Sequence, residues 1–394
     1  MEPELDDLVA SHVRKFGKEP EVITSAPGRV NLMGDHTEHS EGFVLPIALG
    51  FAVRVAMSRR HDTALRFYSV DFNDIRRTSL LHNRVRREDR WANYPKGVIA
   101  AFLDEGYHLG GLDATFVGDI PQGVGLASSG ALSVATALAL RELFDLDICK
   151  LDLAALAQRA ETDFVKVDCG IADSYTSLFA TSGNGLVIDT RTLDSREIPV
   201  RFTGAKIIIT NSNVPKEFVA SELQNRKEEC SRCVAFLSRR KPGRALRDYS
   251  PHDVSDIMGR MPERERRRGL HVVEENVRVL EAEDALQRDD PEAFGKLMNR
   301  SHESLRDLYE VTCPELDWLV KRAWETEGVF GSRMTGEGFG GCTVSLIADS
   351  MVDGYLANIE QYERIFGFKA ASYVQEPAGG ALVLRSRTMA RQSK

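Results

Sequence analysis

The 394-residue chain has no apolar run approaching the roughly 20 residues that a membrane helix needs, and residues 1–21 carry charges instead of the apolar core of a signal peptide. Cysteine is scarce. Six cysteines in a chain of this length are typical of reduced thiols in the cytosol and exclude a disulfide scaffold. Basic residues do not predominate either: 51 Lys and Arg against 59 Asp and Glu give a formal net charge of −8. We therefore expect a cytoplasmic protein with neither a nucleic-acid nor a membrane partner, whose oligomeric state the sequence does not indicate.

The Walker sequence GxxxxGK[ST] is also missing, which disfavours the common P-loop kinase fold. Short apolar or β-branched runs instead alternate with helical stretches, which predicts a mixed α/β fold. The predicted strands are Ala52–Met57, Ala64–Ser69, Leu112–Gly118, Gly185–Thr190, Lys206–Thr210, Cys342–Ala348 and Ala381–Arg385. The predicted helices are Ala131–Phe144, Leu151–Val165 and His271–Gln287.

The length predicts two or three domains, and the best boundary lies near residues 194–203, giving domains over residues 1–198 and 199–394. Ser238–Arg247, SRRKPGRALR, is interpreted as a basic linker broken by Pro and Gly. The run Glu263–Gly269, ERERRRG, favours a solvated helix face over an anion-binding patch, because glutamates are interleaved with its arginines. Cys230 and Cys233 are read as unpaired thiols, since no second CxxC or histidine pair accompanies them.

The first of three glycine-rich segments is Ser25–Pro46, SAPGRVNLMGDHTEHSEGFVLP. His36, Glu38 and His39 crowd onto a loop there, close in sequence to Arg29 and Asn31. Such a set of convergent polar side chains suits a ligand with many hydroxyl groups. Two alternatives stay open: zinc bound through His36 and His39, and a loop with a purely structural role.

The second segment, Pro121–Leu132, has the sequence PQGVGLASSGAL and opens an Ala-rich helix. Its flexible backbone N–H groups and the positive end of the helix dipole would together form an anion site. Ser128 and Ser129 could donate to phosphate oxygens or bind Mg²⁺. A plain turn is the alternative.

The third segment, Met334–Ile347, contains Gly336, Gly338 and Gly341 in a GxGxxG pattern. A dinucleotide-binding site is disfavoured, because this pattern must open a helix and here it runs into a predicted strand. We expect instead a close approach of the backbone to a ligand or to the other domain.

Glu161 and Asp173 form an acidic pair placed at a helix end and in the following turn. An aspartate beside an arginine in a phosphoryl-transfer site can accept the proton of the acceptor hydroxyl while the cation stabilises developing charge. A structural salt bridge or a helix cap is an equally good interpretation of the pair on its own.

In this order, the segments resemble the GHMP small-molecule kinases and, more closely, the galactokinases. GRVNLMGDHTEHSEGFVLP resembles the galactokinase signature GRVNLIGEHTDYNGGFVLP, and PQGVGLASSGAL resembles the phosphate loop PxGxGLSSSA. CGIADS resembles CGIMDQ, and RMTGEGFGGC resembles RMTGGGFGGC. The resemblance implies an N-terminal α/β domain like ribosomal protein S5 domain 2, a C-terminal ferredoxin-like α+β domain, and an active site between them. It also implies ATP and Mg²⁺ as cofactors, and phosphorylation of a sugar at its anomeric hydroxyl.

Carried over residue by residue, the resemblance makes Arg29 and Asp173 the catalytic pair and gives Ser129 and Glu161 to Mg²⁺. Trp91 would lie near the adenine. The remaining ATP-binding positions would be Gly123, Gly125, Leu126, Ala127, Ser128, Ser129 and Gly130. The sugar-binding positions would be Asp35, His36, Glu38, Gly170 and Asp173.

The departures from the family pattern concern the sugar pocket. Asp35 and Glu38 exchange the usual Glu and Asp, His39 replaces a tyrosine, and Glu337 replaces a glycine. Leu223 stands where the family has a tyrosine against the sugar. Galactose is the expected acceptor, with a related sugar (N-acetylgalactosamine, L-arabinose or galacturonate) as the first alternative and a non-catalytic galactose sensor as the second.

Overall fold

The computed structural model describes residues 3–215 and 219–386, whose strands assemble into two sheets. The strands are β1 Val22–Met33, β2 Phe43–Arg59, β3 Ala64–Ser69, β4 Asp74–Ser79, β5 Leu112–Gly118, β6 Asn184–Asp189, β7 Ser195–Pro199, β8 Ala205–Asn211, β9 Val329–Thr335, β10 Cys342–Ala348, β11 Ala371–Gln375 and β12 Leu382–Arg385. The helices are α1 Pro3–Phe16, α2 Asn93–Asp104, α3 Ser128–Phe144, α4 Lys150–Arg159, α5 Ala172–Phe179, α6 Val219–Leu237, α7 Pro251–Ser255, α8 Glu263–Gln287, α9 Pro291–Ser304, α10 Pro314–Trp324, α11 Val352–Ile359 and α12 Gln361–Phe366.

The larger sheet has the strand order β12-β1-β2-β5-β3-β4, and β6 and β7 extend it from β2. In its central hairpin of β1 and β2, the predicted strand Ala52–Met57 lies within β2, whereas β1 was not predicted, because Pro27 and Gly28 indicate a turn. The structure accommodates both in a strand by an irregularity of the pairing between Pro27 and Arg29. Helix α3 packs on β1 and β2. Its alanines Ala131, Ala135, Ala137 and Ala139 are buried in the core that the helix shares with this sheet.

The smaller sheet is antiparallel throughout, with the order β11-β8-β10-β9. Helices α9 and α10 cover it on β9. The two predicted strands in this half, Lys206–Thr210 and Cys342–Ala348, are confirmed as β8 and β10. Helix α8 crosses from this half to pack on β1, β2 and β7 of the larger sheet, and β12 returns to pair with β1. The division of the chain at residue 198 stays a prediction.

Two predicted segments need correction, and a third has a narrower meaning than a sequence can give it. The helix predicted for Leu151–Val165 is α4 followed by a turn of π-helix at Ala160–Val165. Ser238–Arg247 does form a connection, but it links α6 to α7 within one half of the chain, and its Leu246 is buried. The arginine-rich run does open α8, but Arg268 is 1% exposed and pairs with Glu229, so that part of the run is not solvated.

Across residues 3–215 and 219–386, no helix combines the length and the apolar content needed to cross a bilayer.

Candidate active site

The four sequence motifs meet at one cavity of about 520 Å³ between the two halves of the chain. Among its lining residues are the predicted site positions Arg29, Asp35, His36, Glu38, Gly123, Gly125, Leu126, Ala127, Ser128, Ser129, Glu161, Gly170 and Asp173. A neighbouring cavity of about 640 Å³ contains Trp91 and shares Gly123, Ser128 and Ser129 with the first. The two cavities therefore adjoin at the beginning of α3.

The second glycine-rich segment forms the loop before α3. Gly123 and Gly125 adopt positive φ angles of 71° and 86°, and the helix begins at Ser128 with no acidic side chain in its first turn. The loop is held to β1, because the Arg29 backbone N–H donates to the Leu126 carbonyl at 3.2 Å. The open N–H groups and the helix dipole therefore present positive potential to the shared part of the two cavities.

Arg29 and Asp173 form an ion pair beside this loop. Nε of Arg29 donates to Oδ1 of Asp173 at 2.7 Å, and the two side chains are 11% and 16% exposed. Burial disfavours the charged guanidinium, but the carboxylates of Asp173 and Asp35 outweigh that effect and raise the pKa of Arg29. Arg29 thus stays positively charged at any physiological pH.

Glu161 approaches the same point from the π-helical turn. It is 2% exposed, and burial raises the pKa of its carboxyl to about 7, although a hydrogen bond from Ser129 opposes the shift. A Cβ atom added to Gly130 would lie 3.2 Å from Cβ of Asp173 and 3.7 Å from Oε1 of Glu161. The helix N-terminus, Asp173 and Glu161 therefore lie within a few ångströms of one another.

The described residues contain no group of three or more His, Cys, Asp or Glu side chains arranged to hold a metal ion. One carboxylate and one hydroxyl are nevertheless a suitable protein share for Mg²⁺, which commonly takes its other ligands from phosphate oxygens and water. A carboxyl whose ionisation is opposed by burial gains from an adjacent cation. Glu161 and Ser129 therefore fit the ion that the resemblance implies.

Glu38 lies in the loop over residues 34–42, which joins β1 to β2. Its Oε1 accepts a hydrogen bond of 3.1 Å from the backbone N–H of Ala172, next to Asp173. A Cβ atom at Gly170 would lie only 2.1 Å from that oxygen, so Gly170 is required for this approach. Burial and the neighbouring Asp173 raise the pKa of Glu38 to about 7.

Asp35 is 2% exposed and accepts hydrogen bonds from three donors. Asn31 Nδ2 and the Gly336 N–H donate to Oδ1 at 2.8 and 3.2 Å, and Arg333 Nη2 donates to Oδ2 at 2.7 Å. Burial raises the pKa of Asp35, although Arg333 opposes that shift. Asp35 thereby joins the loop to β9 of the other half.

Sequence reasoning missed two residues of this junction, Arg333 and Glu275. Both side chains are fully buried, and Glu275 accepts from the Gly34 N–H at 3.0 Å and from Arg278 at 2.7 Å. Burial opposes ionisation of Glu275, but Arg278 and Arg333 lower its pKa to about 2. Arg333 is the first residue of the RMTGEGFGGC motif, so its position was visible in the sequence. Glu275 lies within α8, and nothing in the neighbouring sequence distinguishes it from the other charged residues of that helix.

His36 and His39 line the first cavity, and neither Nε2 atom has a hydrogen-bond partner. The His36 ring packs on Tyr309 with 4.6 Å between centroids. Burial lowers the pKa of His39 to about 4 and that of His36 well below its usual value, so both imidazoles are neutral. In the described part of the chain they join no cluster of metal-ligating side chains, so nothing here supports the zinc alternative.

Trp91 forms an aromatic wall of the second cavity together with Phe72, whose ring is inclined by 27° to the indole. The indole Nε1 donates to Oδ2 of Asp74 at 3.1 Å, which fixes the ring. A flat heterocycle next to the anion-binding loop suits this wall.

The third glycine-rich segment lies against the second. A Cβ atom at Gly336 would lie 3.5 Å from the carbonyl oxygen of Gly125, so the two loops meet across the halves of the chain. The expected close backbone approach is therefore confirmed.

Comparison with known proteins agrees with this geometry. The galactokinase galactose-binding signature matches residues 10–59, the N-terminal domain of GHMP kinases matches residues 93–181, and the C-terminal domain matches residues 282–353. A galactokinase of Roseiflexus sp. is 41% identical over 368 residues, covering 93% of each chain. A galactokinase of Bacillus subtilis is 38% identical over 391 residues, covering 98% of this chain and 100% of its own.

The chain belongs to the galactokinase family. The crystal structure of Lactococcus lactis galactokinase complexed with galactose superposes with a TM-score of 0.92 at 32% identity, covering 97% of this chain and 100% of that one. Methanococcus jannaschii mevalonate kinase, at 18% identity and a TM-score of 0.65, shares the fold. The predicted two-domain GHMP kinase fold is confirmed. Within this galactokinase-family site, the unusual residues His39, Leu223 and Glu337 all line the first cavity.

Proposed function

We propose that this member of the galactokinase family transfers the γ-phosphoryl group of ATP to the anomeric hydroxyl of galactose in the cytoplasm, where ATP is available. The observation that carries the proposal is the convergence of Arg29, Asp173 and the N-terminus of α3 on one cavity between the halves of the chain. We also propose that residues 1–198 and 199–394 are the two domains that enclose this cavity.

In this mechanism Asp173 accepts a hydrogen bond from the anomeric hydroxyl, orients its oxygen and takes its proton as the bond to phosphorus forms. Arg29 holds the Asp173 carboxylate in place through their 2.7 Å hydrogen bond, and its charge stabilises the transferring phosphoryl group. Since the pair is largely enclosed, both effects act with little screening by water.

The nucleotide would occupy the second cavity, with its base on the Trp91 wall and its phosphates at the loop from Gly123 to Gly130. The backbone N–H groups of the loop would bind phosphate oxygens, and Ser128 would donate its hydroxyl. Glu161 and Ser129 would hold Mg²⁺, which neutralises phosphate charge when bound.

The sugar would occupy the first cavity, where Glu38, Asp35 and His36 offer polar atoms to its hydroxyl groups. Gly170 would contribute by keeping the backbone close to Glu38 and to the sugar. Because two of these groups are themselves held by internal hydrogen bonds, the hydroxyl pattern of the ligand would be read by a rigid surface.

The experiment that tests the proposal is a coupled assay of ADP release with a panel of free sugars: galactose, N-acetylgalactosamine, L-arabinose, galacturonate and glucose. We expect galactose to give the highest kcat/KM, with a phosphate ester at C1 identified by ³¹P NMR. A clearly higher kcat/KM for another sugar would show that this other sugar, and not galactose, is the acceptor. Sugar binding without turnover would favour the sensor instead. The relatives of matching length do not favour either alternative, since those described above are named galactokinases.

A further inference from the structure

A short turn over residues 244–248, from the half of the chain that carries α8, contacts Glu41 near the C-terminal end of the 34–42 loop. Its Leu246 is completely buried in the core of its own half. Asp248 accepts hydrogen bonds from the backbone N–H groups of Arg244 and Ala245 at 2.8 and 3.2 Å, which stiffens the turn. The turn is therefore a fixed support for the arginines that it carries.

Arg247 reaches from this turn to the larger sheet. Its Nη1 and Nη2 atoms donate to the two carboxylate oxygens of Asp189 at 2.8 and 2.7 Å, and Nη1 also donates to the Glu41 carbonyl at 3.0 Å. The guanidinium stacks on the Phe43 ring, 3.8 Å from its centroid. The side chains of Arg247 and Asp189 are only 19% and 16% exposed, so this forked pair is partly shielded from water.

Glu41 has a left-handed backbone, with φ of 57°, at a position where the galactokinase signature has glycine. Such a conformation is unfavourable for a residue that has a Cβ atom. Its carboxylate accepts hydrogen bonds from Arg191 at 2.5 Å and from Arg244 at 3.1 Å. We call Arg191, Arg244 and Arg247, together with Glu41 and Asp189, the arginine clamp.

The arginine clamp acts on the backbone that carries Glu38. The Glu41 N–H donates to the Glu38 carbonyl at 2.9 Å, and Thr190, next to Arg191, donates through its hydroxyl to the Gly42 carbonyl at 2.8 Å. The other end of the loop is fixed separately, by Glu275 and Arg333. No member of the clamp lines either cavity, so an effect on the sugar would pass through neighbouring residues that line the first cavity, namely Glu38, His39 and Thr190. Of these, the proposed function assigns only Glu38 to the sugar.

We propose that the arginine clamp is a positioning site that holds Glu38 in its sugar-binding place and so sets the affinity for the sugar. This inference rests on the proposed function, because it assigns Glu38 to the sugar. A displacement of a binding group by about 1 Å is enough to weaken its contribution many-fold. Since the clamp is ionic and partly exposed, salt weakens it.

The test is steady-state kinetics of Arg247→Ala, with galactose and ATP varied separately at fixed excess Mg²⁺. We expect the KM for galactose to rise about 10-fold, while kcat and the KM for ATP change less than about 3-fold. Arg247→Lys retains the charge without the fork and should give an intermediate KM. The matched control is Arg196→Ala: Arg196 makes a forked pair with Glu283 that also joins the two halves of the chain, but it does not touch the loop. We expect it to behave as the wild type.

A second variant, Glu41→Gln, serves if Arg247→Ala does not fold. It should raise the KM for galactose about 3-fold. In the wild type we expect the KM for galactose to increase between 0.05 and 0.5 M NaCl, and Glu41→Gln should remove most of that increase. Equal changes in both KM values, or a galactose KM raised as much by Arg196→Ala, would overturn the inference. A wild-type protein that does not phosphorylate galactose would instead refute the proposed function, whatever the variants do.

Discussion

A single guanidinium joins the proposed base to the phosphate loop: Nε of Arg29 donates to Oδ1 of Asp173 at 2.7 Å, and Nη1 donates to the Gly125 carbonyl at 2.9 Å. Asp173 stands at the start of α5, whereas Gly125 belongs to the loop before α3. One rigid, planar group therefore fixes the distance between the proposed base and the loop that we propose binds the phosphates.

Asp173→Asn should lower kcat by about 10²–10⁴-fold, the usual contribution of a general base, because an amide accepts a hydrogen bond from Arg29 but takes up no proton. Binding of ATP, measured by calorimetry, should change little. Asp168→Asn is a suitable control, since Asp168 lines the same cavity but is 64% exposed and pairs with Lys227. An Asp173→Asn protein with the kcat of the wild type would exclude Asp173 as the base.

The raised pKa of Glu38, about 7, predicts that the ligand-free protein loses stability as the pH rises. Between the ordinary glutamate value and pH 7 the folded state keeps a proton that the unfolded state has released, so the free energy of unfolding falls across that window. Glu38→Gln cannot ionise and should melt at least ~2 °C above the wild type at pH 8, with little difference at pH 4.5. Differential scanning calorimetry at both pH values measures this.

The same variant should bind galactose more weakly, because the amide lacks the charge that strengthens hydrogen bonds to sugar hydroxyls. Glu327→Gln, at an exposed position, is the control and should leave the pH dependence of melting unchanged. If Glu38→Gln melted at the wild-type temperature at pH 8, burial would not be raising the pKa of the Glu38 carboxyl, and this explanation of the pH dependence would be wrong.

Short-range patterns in the sequence were enough to predict the glycine-rich loop before α3 and several strands. The glycines before Ser128 and the alanines after it depend only on neighbours in the chain, so the loop and helix α3 could be predicted. Strand β1 could not, because Pro27 and Gly28 indicate a turn and only the pairing with β2 shows how an irregular strand accommodates them.

The buried ion-pair network of Asp35, Arg333 and Glu275 at the 34–42 loop could not be predicted, for a different reason. Asp35 and Arg333 are 298 positions apart, and Glu275 lies on a third element, so no spacing in the sequence connects them. Local sequence patterns predict which face of a helix or strand is buried. Buried ion pairs depend instead on which helices and strands pack against one another. The arginine clamp could not be predicted for the same reason, since its arginines come from two separate segments of the chain.

Arg333→Met should destabilise the protein by about 3–5 kcal/mol, because it leaves the buried carboxylate of Asp35 without its charged partner and removes a cation close to Glu275. Urea unfolding followed by tryptophan fluorescence measures the change. Arg385→Ala breaks an exposed pair with Glu19 and should cost less than about 1 kcal/mol. Similar costs for the two variants would show that the Asp35 network contributes no more than a surface pair.

Trp91→Ala should raise the KM for ATP about 10-fold and leave the KM for galactose unchanged, because the indole lines only the second cavity. Loss of stacking on an aromatic ring costs roughly 1–3 kcal/mol for each nucleic-acid base. Trp91→Phe is the matched variant: it keeps an aromatic face beside Phe72 but loses the hydrogen bond to Asp74, so its KM for ATP should lie between those of the wild type and the alanine variant. Initial rates with each substrate varied in turn separate the two constants. If Trp91→Ala raised the KM for galactose as much as that for ATP, the second cavity would not be a separate nucleotide site, because a residue outside the sugar cavity would then be acting on both substrates.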